Sequence, residues 1–228
     1  MTMDHRGGRV APMTADLRTE RTTLRRRGAR GSHDRAVIDP ILDEGLLCHV
    51  GWTDAHGPAV IPTTYARLGD DVLMHGAVAA RWLQPGLPLC VVVTLLDGLV
   101  LARSAMHHSA NYRAVVLFGT GELVVERGAK LRTLEAIVEH IVPGRSGGTR
   151  GPSSKELAAT AVLRLPITEA SAKVRTGGPI DDEEDLKLPW WAGVLPIAMR
   201  VGAPVPACDE AIAMPDHVRA WKRETPPR

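Results

Sequence analysis

The alternation of apolar and polar residues divides the chain into a strand-rich middle and helical stretches around it. Leu46 to Trp52 and Ala59 to Ala66 are short apolar runs separated by the turn-forming segment Thr53 to Pro58, which predicts a hairpin. Gly69-Asp70 then precedes Asp71 to Gly76, a third strand of a meander. Leu89 to Leu96 and Leu99 to Ala105 flank Asp97-Gly98, a pair suited to a tight type I′ turn, and predict a second hairpin. Arg113 to Phe118, ended by Gly119, and Ala161 to Ile167 are further strands. Six or more short strands joined by short turns favour a closed or nearly closed barrel, because closure removes exposed sheet edges.

A period near 3.6 marks the helices. Asp34 to Glu44 reads as a short helix entered by Ser32 or Asp34 as cap. Between Ala129 and Ile141, Leu131, Leu134, Ile137, Val138 and Ile141 form one stripe, predicted to be buried, ending at Pro143-Gly144. Ser153 followed by Glu156 is a capping-box pattern opening a helix that runs to Thr160. The fold class is therefore mainly β, a barrel with peripheral helices.

Charge sets the boundaries. Residues 1–32 hold eight arginines against three carboxylates, a net of +5, which leaves the rest of the chain at about −3 of the total +2. This predicts a flexible basic leader over 1–32, a folded domain over 33–210 that is not a basic nucleic-acid module, and a tail over 211–228. The acidic run Asp181 to Asp185 reads as a surface turn or the start of a helix. Cys48, Cys90 and Cys208 are isolated and odd in number, which fits a reducing, cytoplasmic setting, and no 18-residue apolar run suggests a membrane span.

Three donor clusters are candidates for binding an anion. Arg103 to Arg113 contains Ser104, His107, His108, Ser109, Asn111 and Tyr112 between two arginines, a cradle suited to a dianionic phosphate or simply a polar strand connection. His75-Gly76 with Arg81 is the second, where Gly76 would permit close approach of a ligand to the backbone, or where a capped turn simply carries a solvent-facing arginine. Ser171, Lys173 and Arg175 are the third and fall on one face if the segment is extended. His49, His75, His107 and His108 are imidazoles available to a metal or haem, but without a spacing that defines a site they read first as core or hydrogen-bonded histidines. Trp190 and Trp191, between two prolines, either fill core space or line a ring pocket or subunit contact. There is no P-loop, dinucleotide fingerprint or nucleophile elbow, so any redox chemistry would come from an imported cofactor.

In order along the chain, Cys48-His49-Val50-Gly51, Ile61 to Arg67, His75-Gly76, Val93 to Ser104, His107 to Arg113, Ser171 to Arg175 and Trp191 to Pro196 resemble the pyridoxamine-phosphate-oxidase-like family. The likeness is to its flavin-nucleotide-binding branch, related to nitroimidazole-resistance reductases, and extends over roughly Gly45 to Pro206. The resemblance implies a split β-barrel homodimer holding FMN at shared sites. It implies that Pro62, Thr63, Thr64, Tyr65, Ala66, His75 and Gly76 lie along the flavin ring, and that Arg81, Ser109, Asn111, Tyr112 and Arg113 lie toward the phosphate. Lys173, Arg175 and Trp191 would approach from the C-terminal segment. Ala80 and Ala114 stand where relatives often carry serine, which removes two hydroxyl donors. The function expected is an FMN-dependent oxidoreductase acting on a small organic acceptor. A non-catalytic flavin or haem carrier and a pyridoxamine-phosphate oxidase are the alternatives.

Overall fold

The computed structural model describes residues 16–209 and 211–222. In chain order the elements are β1 (Gly31–Ser32), α1 (Arg35–Glu44), β2 (Leu47–Asp54), β3 (Gly57–Leu68), β4 (Asp71–Ala77), β5 (Pro88–Leu101), β6 (Ser109–Thr120) and β7 (Glu122–Leu123). They are followed by α2 (Arg127–Ile141), α3 (Ser154–Ala159), β8 (Thr160–Pro166), β9 (Ala170–Arg175), β10 (Gly193–Pro196) and α4 (Asp216–Arg219). One antiparallel sheet of order β1-β9-β6-β5-β2-β3-β4-β8-β7, with β10 on β5, curls into a split β-barrel.

The alternation seen in the sequence becomes an inside and an outside. Val50, Val91, Val93, Val115, Leu117, Val72, Met74, Leu163 and Leu165 point inward and are buried, joined by Ile38, Ile41 and Leu42 of α1. The Asp34 carboxylate caps α1 by accepting from the Ala36 N–H at 2.9 Å. Tyr65 Oη donates to the Leu42 carbonyl and ties α1 to β3. The Ser153–Glu156 capping box is present at α3. On α2, Ile137 is buried while the other four members of the predicted stripe are only half covered.

Three expectations are corrected. Asp97-Gly98 is not a hairpin turn: β5 runs unbroken from Pro88 to Leu101 against β6, with a bulge between Leu96 and Gly98. A two-residue turn would need its flanking strands to pair with each other, but both flanks find a longer partner in β6, and Asp97 turns inward to Arg113. The second correction concerns the leader. From Leu17 onward the chain is packed: Leu17 and Thr22 are buried, Ala170 N–H donates to the Leu17 carbonyl, and Gly31 and Ser32 pair with Lys173 and Ala172. Only residues 1–15 of the expected leader fall outside the described residues. Third, the acidic run is not wholly a solvated turn, because the Asp181 side chain is 1% exposed against Arg103. In the tail, His217 of α4 packs over Gly144 and Gly148.

Candidate functional site

The residues singled out in the sequence separate into three places. The first is a cavity of about 370 Å³ lined by Glu44, Leu46, Asp97, Arg113 and residues 197–199. Arg113, at 5% exposure, donates from Nε to Asp97 Oδ2 at 2.9 Å and from Nη2 to Asp97 Oδ1 at 2.7 Å. It also grips both oxygens of Glu44. The hydrogen bonds it donates to Asp97 and then to Glu44 raise its pKa further. One guanidinium facing two carboxylates leaves this cavity with a formal charge of −1, so Arg113 is not the open phosphate donor expected of it.

The second place is the far end of β2. Arg81 pairs with Asp54 at 2.9 Å and lies over the Trp52 ring. Hydrogen bonds from the Trp52 indole, then from the His56 N–H, hold the Asp54 carboxyl below its ordinary value. Arg113 is paired with Leu95, and Gly51 with Cys90. Asp54 therefore lies about eight residues of strand away from Arg113, roughly 26 Å. Within one chain Arg81 and Arg113 cannot share a phosphate.

The third is a smaller cavity of about 220 Å³ lined by Arg27, Arg30, His107, His108, Ser109 and Arg175, with Met106 and Ile180. Arg175 is 5% exposed; its Nη atoms donate to Asn111 Oδ1 and to the Gly177 and Gly178 carbonyls, and its buried Nε has no partner. Burial, then repulsion from Arg30 and Arg27, lowers its pKa. No ion pair among the described residues involves Arg27, Arg30 or Arg175, whereas Arg103 and Arg113 of the densest sequence cluster are both neutralised by carboxylates. Three guanidiniums without a carboxylate partner among the described residues line this cavity, whose volume is below the roughly 300–1,000 Å³ of a complete small-molecule site. Arg27 and Arg30 are not among the expected site residues, because they lie in a segment without apolar periodicity. The signal available was the unbalanced +5 of residues 1–32.

The remaining candidates are dispersed. Ser171, Lys173 and Arg175 do share one face of β9, opposite Val116, Ala114 and Tyr112. Tyr65 and Ala66 are buried in the core and do not line a ligand surface, while Pro62 is exposed and Thr63 and Thr64 are half-buried. Gly76 is explained by packing: a Cβ there would lie 2.9 Å from Leu83 Cδ1 and 3.5 Å from Trp82. His75 beside it is half-buried with Nδ1 unpartnered, and burial lowers its pKa. His49 projects from β2 on the outer sheet face, paired with Pro62 and Val92. Trp190 and Trp191 are 62% and 66% exposed, so they do not fill the core of this chain.

The family model described as pyridoxamine 5'-phosphate oxidase matches residues 34–174. Among solved structures the chain is similar to the flavocytochrome Anf3 from Azotobacter vinelandii, with 40% identity and a TM-score of 0.84 over 89% of this chain and 97% of that one. It is similar to the FAD and haem binding protein from Mycobacterium smegmatis, with 36% identity and a TM-score of 0.81 over 86% of this chain and 98% of that one. A protein from Bacteroides thetaiotaomicron described as a 5-nitroimidazole antibiotic resistance protein shares the fold, at 21% identity and a TM-score of 0.53, over 63% of this chain and 86% of that one. No curated protein sequence matches the chain. A match spanning well over half the sequence, on a split barrel of this strand order, makes the chain a member of the pyridoxamine 5'-phosphate oxidase family.

Proposed function

We propose that the protein is a flavin-binding oxidoreductase that also carries haem. The observation that carries the flavin reading is the cationic cavity at Arg175: a 95%-buried guanidinium with an unpartnered Nε, on a family fold, fits a phosphoryl group. The family resemblance points to FMN, whereas the relative with 36% identity, described as binding FAD and haem, favours FAD. Both carry the phosphate that Arg175 and Ser109 would hold. A bound flavin supplies hydride and single-electron transfer at its ring.

The chain's own contribution is positional. The Asn111 side chain and the Gly177 and Gly178 carbonyls fix the Arg175 fork, so its remaining donor is oriented before ligand arrives. His49 is the imidazole we assign to haem iron, because it stands exposed among Leu47, Val60 and Pro62, an apolar surface suited to a macrocycle. Exposed Trp190 and Trp191 suit burial against a second copy of the chain, which supports a homodimer with shared sites. No helix among the described residues is long and apolar enough to cross a membrane.

An absorption spectrum of the purified protein, followed by chromatography of released cofactor, tests the reading. FAD bands with a haem Soret band are expected, with flavin bleaching under a nicotinamide or other reductant. A protein that neither retains nor takes up any flavin overturns it. His49→Ala should abolish the Soret band while leaving the flavin in place.

A further inference from the structure

We infer that the N-terminal arm, Leu17–Ser32, is part of the ligand site: Arg27 and Arg30 clamp a phosphoryl group against Arg175, so that arm docking and phosphate binding are coupled. The inference deepens the flavin reading and takes from it only the identity of the phosphate's owner.

The arm is fastened at both ends and open between them. At one end Leu17 and Thr22 are buried and Arg21 pairs with Glu169; at the other, Gly31 and Ser32 join β9. Arg25, Arg26 and Arg27 between these anchors are exposed; the Arg30 N–H donates to the Arg27 carbonyl and holds the backbone there, which leaves the Arg27 side chain at the cavity beside Arg175. Like charges are being gathered, which is unfavourable without an anion. Arg27 also has φ 56°, making it the single non-glycine residue with positive φ among those described. Glycine adopts that conformation without strain, so the backbone alone does not call for arginine. Strain and mutual repulsion converge on one cavity, and a phosphate dianion relieves the repulsion.

The test uses the full-length chain, freed of cofactor, with inorganic pyrophosphate, riboflavin, FMN and FAD as probes. Arg27→Gly and Arg30→Gln should each weaken pyrophosphate and the phosphate-bearing flavins by roughly tenfold or more, leaving riboflavin unchanged. Arg27→Gly should melt at the same temperature as the parent protein or higher, which a merely structural arginine would not allow. Pyrophosphate should also slow tryptic cleavage within Arg25–Arg27. A loss confined to FAD assigns the clamp to the dinucleotide's diphosphate, and a loss shared with FMN assigns it to the phosphate next to the ribityl chain. Flavin nucleotides bound equally by parent and variants would remove the clamp and leave the flavin reading intact. Pyrophosphate binding lost in the variants, with no flavin bound by any protein, would keep the clamp and remove the flavin.

Discussion

Arg113→Met should cost the fold rather than phosphate affinity. It would leave Asp97 and Glu44 facing each other without a counter-charge, and removing one partner of a buried pair costs about 3–5 kcal/mol. Glu44 is a quarter exposed, so the lower end, about 3 kcal/mol, is expected in a urea unfolding midpoint, with pyrophosphate affinity retained. At this scale the sequence showed that arginines were plentiful but not which were free. Arg103 and Arg113 were the conspicuous ones, yet each meets a carboxylate distant in sequence, at Asp181 and at Glu44. His75 gives a pH signature. Its folded pKa lies below the ordinary value near 6.5, so the unfolded chain binds a proton more readily. Its contribution to stability is therefore lost as pH falls below about 6.5, down through the folded pKa. His75→Gln should flatten that part of a stability–pH curve; an unchanged slope would assign it to another group.

Elements bounded by local chemistry were legible. The Asp34 cap of α1 and the Ser153–Glu156 box of α3 are both present, and Ser153→Ala should lower stability by about 1 kcal/mol in thermal unfolding. Strands β2, β3 and β4 were readable because glycine turns end them: Gly57 and Gly69 have φ of 96° and 60°. Elements defined by distant partners were not. β1 is two residues long and exists because β9 offers it an edge. In the sequence Gly76 is compatible with the approach of a ligand, but the space above it is filled by Leu83 and Trp82 of the turn Arg81–Leu83. Gly76→Ala should cost about 1–2 kcal/mol by overpacking, with no change in flavin affinity beyond what lower stability explains.

For the whole molecule, the barrel was legible from strand count and turn spacing, while the candidate site was legible only in part. Ser109 and Arg175 lie together, but the other half of their cavity comes from a segment that looked like a solvated leader. Light scattering at micromolar concentration should give twice the mass of one chain. Trp190→Ala with Trp191→Ala should shift it toward one chain mass if these exposed rings are covered by the second copy.

The bulge in β5 acts as a phase shifter. Before it the odd-numbered residues Leu89, Val91 and Val93 are buried; after it the even-numbered Gly98 and Val100 are, and Asp97 and Gly98 are buried consecutively. β10 is zipped to this shifted half, from Leu101 opposite Gly193 to Gly98 opposite Pro196. Removing the single residue Asp97 would join Leu96 to Gly98 in a regular strand of unchanged register, leaving Val100 inward and Leu99 outward along that zipper. Deleting Asp97 should therefore take a carboxylate from Arg113, as Asp97→Ala does, while the segment carrying Trp190 and Trp191 stays in place. Tryptophan fluorescence should be alike in the two variants; a change confined to the deletion would show that the kink of the bulge itself holds β10.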